Sequence, residues 1–209
     1  WNTISFILRL NFSFFWRVRN FHPKNTNFKF FKVYKEDIIF KNFFKHISQA
    51  SVVEIGSGYG LRLFNLRRYK KKFQLIGYDI NRKSIKFAKK FNRMNNLNIK
   101  FKHQDSRKLI LKNKIDYLIS SFSLIYMNKK ELGKFFLQNK NKIRKGFVLL
   151  EYHSEKNSDN LSYYVNNFNS IFQEARLNKF KIIYKKINKK NWNKKDHNAY
   201  KIIGYKNEN

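Results

Sequence analysis

VVEIGSGYG, residues 52–60, gathers three of the seven glycines of this 209-residue chain within five positions. A short apolar run leads into it, and "LRLFNLRRY", with Leu61, Phe64 and Leu66 apolar among basic residues, leads out. The order is strand, glycine loop, helix. Glycines at such a junction let backbone N–H groups come close to a ligand, because no Cβ blocks the approach. The spacing is Glu54-x-Gly56-x-Gly58-x-Gly60. It does not match the dinucleotide fingerprint G-x-G-x-x-G, whose third glycine falls one residue later. The Gly-Lys-Ser/Thr of a phosphate-cradling loop is also absent.

Beyond the loop the alternation of strand and helix continues. "FQLIGYDI" (73–80) reads as a strand and "NRKSIKFAKKFNRM" (81–94) as a helix with Ile85, Ala88 and, a little further round, Phe87 and Phe91 near one face. "NIKFKH" (98–103) alternates Ile99, Phe101 and His103 against lysines. "IDYLISSFSLIYM" (115–127) reads as a buried strand with a loop after it, residues 129–143 as a helix, and "GFVLLEYH" (146–153) as a strand buried on both faces. Leu161, Tyr164, Val165, Phe168, Ile171, Phe172 and Ala175, spaced at three and four, predict a helix over 159–178. "FKIIYKKI" and "YKIIGYK" close the chain as strands with only the polar linker 188–199 between them. The pattern predicts an α/β fold: a Rossmann-like, doubly wound, mainly parallel seven-stranded sheet with helices on both faces. Its C-terminal edge strand should be antiparallel. This domain is expected to occupy 49–209.

Residues 1–48 differ. "ISFILRLNFSFFWRVRNF" is apolar and aromatic but punctuated by Arg9, Arg17 and Arg19, too short and too charged to span a bilayer. No small-residue cleavage site follows it. It is read as a helical extension that packs on the core or covers the site, or else lies on a membrane surface. The first residue is Trp1, which leaves room for a segment upstream. The net charge of +33 points to phosphate partners, nucleic acid or an anionic membrane. The excess, however, is mostly Lys spread along every segment, and Lys, Asn, Phe, Ile and Tyr share A/T-rich codons. We therefore read composition as its main source. No cysteine is present, which excludes disulfides, thiolate zinc sites and Cys nucleophiles; no metal is expected.

The acidic-x-G-x-G-x-G loop resembles motif I of the class I S-adenosylmethionine-dependent methyltransferases. Further residues carry the resemblance: Asp79 closes the second strand about 20 residues beyond the loop, and "HQDS", with Asp105 and Ser106, follows the third. "DYLISSFSLIYM" and "GFVLLEYH" resemble the fourth and fifth strands. The likeness runs from about Phe40 to Lys206. It implies S-adenosylmethionine as cofactor, with Gly56, Ser57, Gly58 and Gly60 passing under it and Glu54 orienting the loop and meeting the methionine ammonium. Asp79 would take the ribose, Ile80 would pack on the adenine, and Asp105 and Ser106 would meet the adenine edge. Ser120 and Ser121 would line the methionine and substrate side. An acidic residue in Asp79's place also serves nicotinamide cofactors, so that alternative stays open.

Methyl transfer from a sulfonium needs positioning above all, and a base only where the acceptor atom carries a proton. Candidates sit at strand ends: Tyr126 after the fourth, and Glu151, Tyr152 and His153 at the fifth. His153 is preferred because its ordinary pKa lies near neutrality, against the plainer reading of a capping histidine; His197 falls in the polar linker. "SSFS" stands where amino-methylating nucleic-acid enzymes carry Asn/Asp-Pro-Pro-Tyr. Without cysteine, a cytosine-C5 adduct is excluded. The expected acceptor is an O or N of a small molecule, sugar or glycan, or a similar group. The other readings are an RNA methyltransferase docking through its basic surface, and a noncatalytic nucleic-acid or membrane module that kept the fold. The expected location is the cytoplasm, with peripheral membrane contact through the N-terminal segment.

Overall fold

The computed structural model describes residues 35–156, 158–159, 163–187 and 199–207. The expectations for 1–34, for Leu161 and for the linker with His197 lie outside the described residues. The chain divides into two compact units after Asp105.

The first unit contains α1 (Lys35–Phe43), β1 (Ser51–Ile55), α2 (Leu61–Tyr69), β2 (Gln74–Asp79), α3 (Arg82–Met94) and β3 (Lys100–His103). Its strands run parallel in the order β3-β2-β1, with Glu54 beside Gly77 and Ile55 beside Tyr78. Parallel strands need apolar residues on both faces, and "SVVEI" buries Val52, Val53 and Ile55 fully. Asn81 caps α3, its side chain accepting from the Ser84 N–H at 3.0 Å, and Ile85 and Ala88 are the buried face. Phe64, Phe91 and Phe101 cluster, with ring centroids 4.7 and 5.5 Å from Phe64. From the N-terminal segment, α1 buries Phe40, and Phe44 just after it is buried too. Phe101 in β3 and Ile99 just before it are buried, as predicted. His103 is exposed instead, its Nε2 lying 2.9 Å from the Ile80 carbonyl, because the outermost strand ends there beyond the core.

The second unit contains β4 (Ile115–Ser121), α4 (Lys129–Asn139), β5 (Ile143–Tyr152), α5 (Phe168–Glu174), β6 (Phe180–Lys186) and β7 (Ala199–Lys206). The strand order is β4-β5-β7-β6; β4 and β5 are parallel, and β7 is antiparallel to both its neighbours. The seven strands of the two units are thus those of a mixed, mostly parallel sheet with an antiparallel element near its C-terminal edge. The final strand β7 is inserted between β5 and β6, so β6 is the outer one. Phe136, Phe147, Phe172 and Phe180 pack together at centroid distances of 5.0 to 6.0 Å. Each buried ring contributes about 2–3 kcal/mol. A reciprocal capping box, Asn128 with Glu131, starts α4.

The predicted helix over 159–178 is much shorter. Ser158–Asp159 pairs with Tyr164–Val165 instead, and α5 begins only at Phe168. Two asparagines explain the shift. The Asn166 side chain donates to the Met127 carbonyl at 3.0 Å, and Asn167 caps α5 by accepting from the Ser170 N–H at 3.2 Å. Apolar spacing alone does not register such side chain-to-backbone competition.

Candidate cofactor site

In the first unit the loop after β1 takes the shape its glycines allow. Gly56, Gly58 and Gly60 have φ of 68°, 52° and 84°, a region that side chains rarely adopt. Gly58 and Gly60 have different reasons for being glycine. A Cβ on Gly60 would lie 2.6 Å from the Phe101 ring and 3.1 Å from Phe64, so this glycine makes room for the unit's own core. A Cβ on Gly58 would meet nothing within 4 Å, so this glycine keeps space clear outside. On β2, a Cβ on Gly77 would come 2.7 Å from the Ser57 Oγ, so Gly77 seats the loop against its neighbour strand.

Asp79 fastens the loop. Its Oδ2 accepts from the Gly58 N–H at 2.8 Å and its Oδ1 from the Asn81 N–H at 2.7 Å. The loop is tied to β2 again by the Ser57 N–H donating to the Tyr78 carbonyl at 3.0 Å. Burial pushes the Asp79 carboxyl up, against the pull of the Asn81 and Gly58 amides. Ile80 follows, half-buried, and Asp105 ends this unit, half-buried.

Glu54 is fully buried in β1. Its Oε1 accepts from the Arg62 guanidinium of α2. Burial pushes its pKa up to about 7 despite that partner. Two buried polar atoms of this region, Glu54 Oε2 and Ser57 Oγ, have no hydrogen-bond partner among the described residues. Buried polar atoms are normally paired, so the loop region carries unmet polar capacity. The region therefore brings together Glu54, Gly56, Ser57, Gly58, Gly60 and Asp79 with donor and acceptor chemistry that fits a small polar cation-bearing ligand.

In the second unit Ser106 opens a single 3-10 turn, Ser106–Lys108. Ser120 and Ser121 end β4. Ser120 is fully buried and donates its hydroxyl to Glu151 Oε1 at 2.7 Å; Ser121 is half-buried. Glu151, fully buried near the end of β5, also accepts the Ser123, Leu124 and Ile125 amides, each at 3.3 Å. It thereby holds the turn after β4, where Phe122 has a φ of 49°. Burial pushes Glu151 up to about 7 against those four donors. Sequence reasoning placed Glu151 among the strand-end candidates but gave it no such role. The usable signal was a carboxylate inside an apolar strand run, since burying one is costly without several partners.

Tyr126 packs against the cluster of Ile125, Tyr152 and Ala199. His153 is buried and boxed by Tyr184, stacked at 4.9 Å, and by Tyr200 and Phe168 at 5.1 and 6.3 Å. Burial holds its pKa below the ordinary histidine value, so the ring is neutral near pH 7. Its Nδ1 lies 3.4 Å from the Asn166 carbonyl and 3.3 Å from the Phe168 N–H, partners that ask for opposite tautomers. Donation to Asn166 is the arrangement that leaves the Nε2 lone pair free. No group of three or more metal-ligating side chains occurs among the described residues, and no described helix is long and apolar enough to cross a membrane.

Residues 52–146 match a family model described as a methyltransferase domain. No curated protein sequence matches the chain. Among solved structures, the chain resembles an S-adenosylmethionine-dependent methyltransferase from Leishmania major, with a TM-score of 0.71 and 14% identity over 95% of this chain and 82% of that one. It resembles the magnesium protoporphyrin IX methyltransferase of Synechocystis, solved with bound S-adenosylmethionine, with a TM-score of 0.69 and 13% identity over 94% and 96%. The cyclase SpnF is also similar, with a TM-score of 0.59 and 14% identity over 73% and 60%. At such identities these structures speak for the fold alone, and the same fold serves other chemistry.

Proposed function

We propose, from the match of residues 52–146 to a methyltransferase-domain model, that the chain is an S-adenosylmethionine-dependent methyltransferase acting on an O or N of a small-molecule, sugar or glycan acceptor. The observation that carries this reading is the loop held by the Gly58–Asp79 hydrogen bond, with open space at Gly58 and unmet polar atoms at Glu54 and Ser57. Asp79 keeps acceptor capacity for the ribose hydroxyls, since each carboxylate oxygen has a second lone pair beyond the amide it already binds. Glu54 would take the ammonium of the methionine part, Ile80 would pack on the adenine, and Asp105 and Ser106 would meet its edge. The bound cofactor supplies a methyl group already activated on a sulfonium.

The protein's own work is orientation. Glu151 fixes the turn after β4, and so fixes Ser121 and Tyr126, which this reading assigns to the acceptor side. His153 would receive the proton where the acceptor atom carries one; its neutral state near pH 7 suits it to that task. The sequence "SSFS" at the end of β4 supports an acceptor other than a nucleic-acid base nitrogen. The test is methyl transfer from labelled cofactor into separated small-metabolite, glycan, lipid, protein and RNA fractions. Label in the small-metabolite or glycan fraction is expected; label confined to RNA would replace this acceptor with the RNA reading.

A further inference from the structure

We infer that Arg62 and Asp37 are positioning residues for the amino-acid end of the cofactor, acting through Glu54; the inference rests on the methyltransferase reading above. Glu54 has two unequal oxygens: Oε1 is taken by the Arg62 guanidinium, while Oε2, equally buried, has no partner among the described residues. Arg62 is itself held from the far side. Its Nε lies 3.4 Å from Asp37 Oδ1, and its guanidinium carbon sits 4.9 Å over the Phe40 ring. Asp37 is buried and accepts from the Asn65 side chain at 3.0 Å. Asp37 and Phe40 belong to α1, Arg62 and Asn65 to α2, and Glu54 to β1. Helix α1 is thus mechanically linked to the carboxylate at the glycine loop.

Two carboxylates share one guanidinium, and the Asp79 carboxyl adds to the negative field on Glu54. The group is one positive charge short, and the unmet carboxylate oxygen in it is Glu54 Oε2. An α-ammonium supplies both the charge and the donors. Of the charged groups facing Glu54, Arg62 favours its ionised form, whereas burial, Asp37 and Asp79 oppose it. Removing the guanidinium therefore leaves a buried carboxyl that keeps its proton near neutral pH and no longer attracts a cation. Asp79, assigned to the nucleoside portion, acts on Glu54 only through its charge, so the effect of Arg62 and Asp37 should fall mainly on one end of the ligand.

Calorimetric titration of wild type, Arg62→Met and Asp37→Asn separates the ends. S-adenosylhomocysteine carries the amino-acid part, and methylthioadenosine lacks it. Arg62→Met is expected to weaken S-adenosylhomocysteine binding by about ten- to a hundredfold, the loss of one charge-assisted hydrogen bond, and methylthioadenosine binding by less than about twofold. The loss should shrink as pH is raised, because Glu54 then ionises without its partner. Asp37→Asn should lose in the same direction but less, since Arg62 remains; it also carries the test if Arg62→Met does not fold. Equal losses for both ligands, or unchanged S-adenosylhomocysteine affinity, would overturn the inference while leaving the methyltransferase reading in place. Wild type binding neither ligand would overturn that reading and this inference with it.

Discussion

Gly58 and Gly60, two residues apart in one loop, should respond to the same substitution in opposite ways. Both have positive φ, so alanine at either costs about 1 kcal/mol in backbone strain. At Gly60 the new methyl would also meet the Phe101 ring at 2.6 Å and Phe64 at 3.1 Å. Crowding of that kind in a packed core costs about 1–3 kcal/mol more. Gly60→Ala is therefore expected to lose about 2–4 kcal/mol of stability, and Gly58→Ala only about 1, because its methyl meets nothing. Ligand binding should reverse the order. The methyl at Gly58 occupies space the account reserves for the cofactor, so Gly58→Ala should lose at least about tenfold in S-adenosylhomocysteine affinity. Urea denaturation gives the first pair of numbers and calorimetry the second. Equal destabilisation of the two variants would refute the Phe101 contact, and wild-type affinity in Gly58→Ala would refute the assignment of this loop to the cofactor.

Other perturbations reach different parts of the account. Asp79→Asn cannot accept both the Gly58 and Asn81 amides, so it should cost about 1–3 kcal/mol in urea and lower cofactor affinity; unchanged affinity would remove the ribose assignment. Glu151 is ionised above about 4.5 in the unfolded chain but only above about 7 when folded, so folding takes up a proton between those values. The stability of wild type relative to Glu151→Gln should accordingly fall, by about 2 kcal/mol, as pH rises from 5 to 7 and level off above about 8; a difference that rises over this window would contradict the burial argument. His153→Gln should abolish transfer to a protonated acceptor while cofactor affinity holds, and in wild type the acid limb of kcat/KM should lie below the ordinary histidine range. Asn139 accepts from the Leu111 amide and donates to the Leu109 and Phe135 carbonyls, so Asn139→Leu should cost at least about 2 kcal/mol in the same urea assay.

The sequence made some of this legible and hid the rest for identifiable reasons. Glycine spacing, an acid at the end of β2 and the alternation of apolar runs are local signals, and they led to the parallel sheet, the loop and Asp79. The Arg62 bridge between Asp37 and Glu54 joins residues 25 and 8 positions apart, and nothing local marks them as partners. Gly77 gave no sign of its purpose until Ser57 was seen packed on it. The predicted helix over 159–178 failed because Asn166 and Asn167 spend their side chains on backbone groups and delay the helix to Phe168. The insertion of β7 between β5 and β6 depends on long-range pairing, which an apolar run does not encode.

The central claim is that the loop at Gly56–Gly60, with Glu54 and Asp79, holds S-adenosylmethionine. Titration calorimetry of the wild-type chain with S-adenosylmethionine, and separately with NAD, tests it most directly. Saturable one-site binding of S-adenosylmethionine, and none of NAD, is the expected result. Absence of S-adenosylmethionine binding, or preference for NAD, would contradict it.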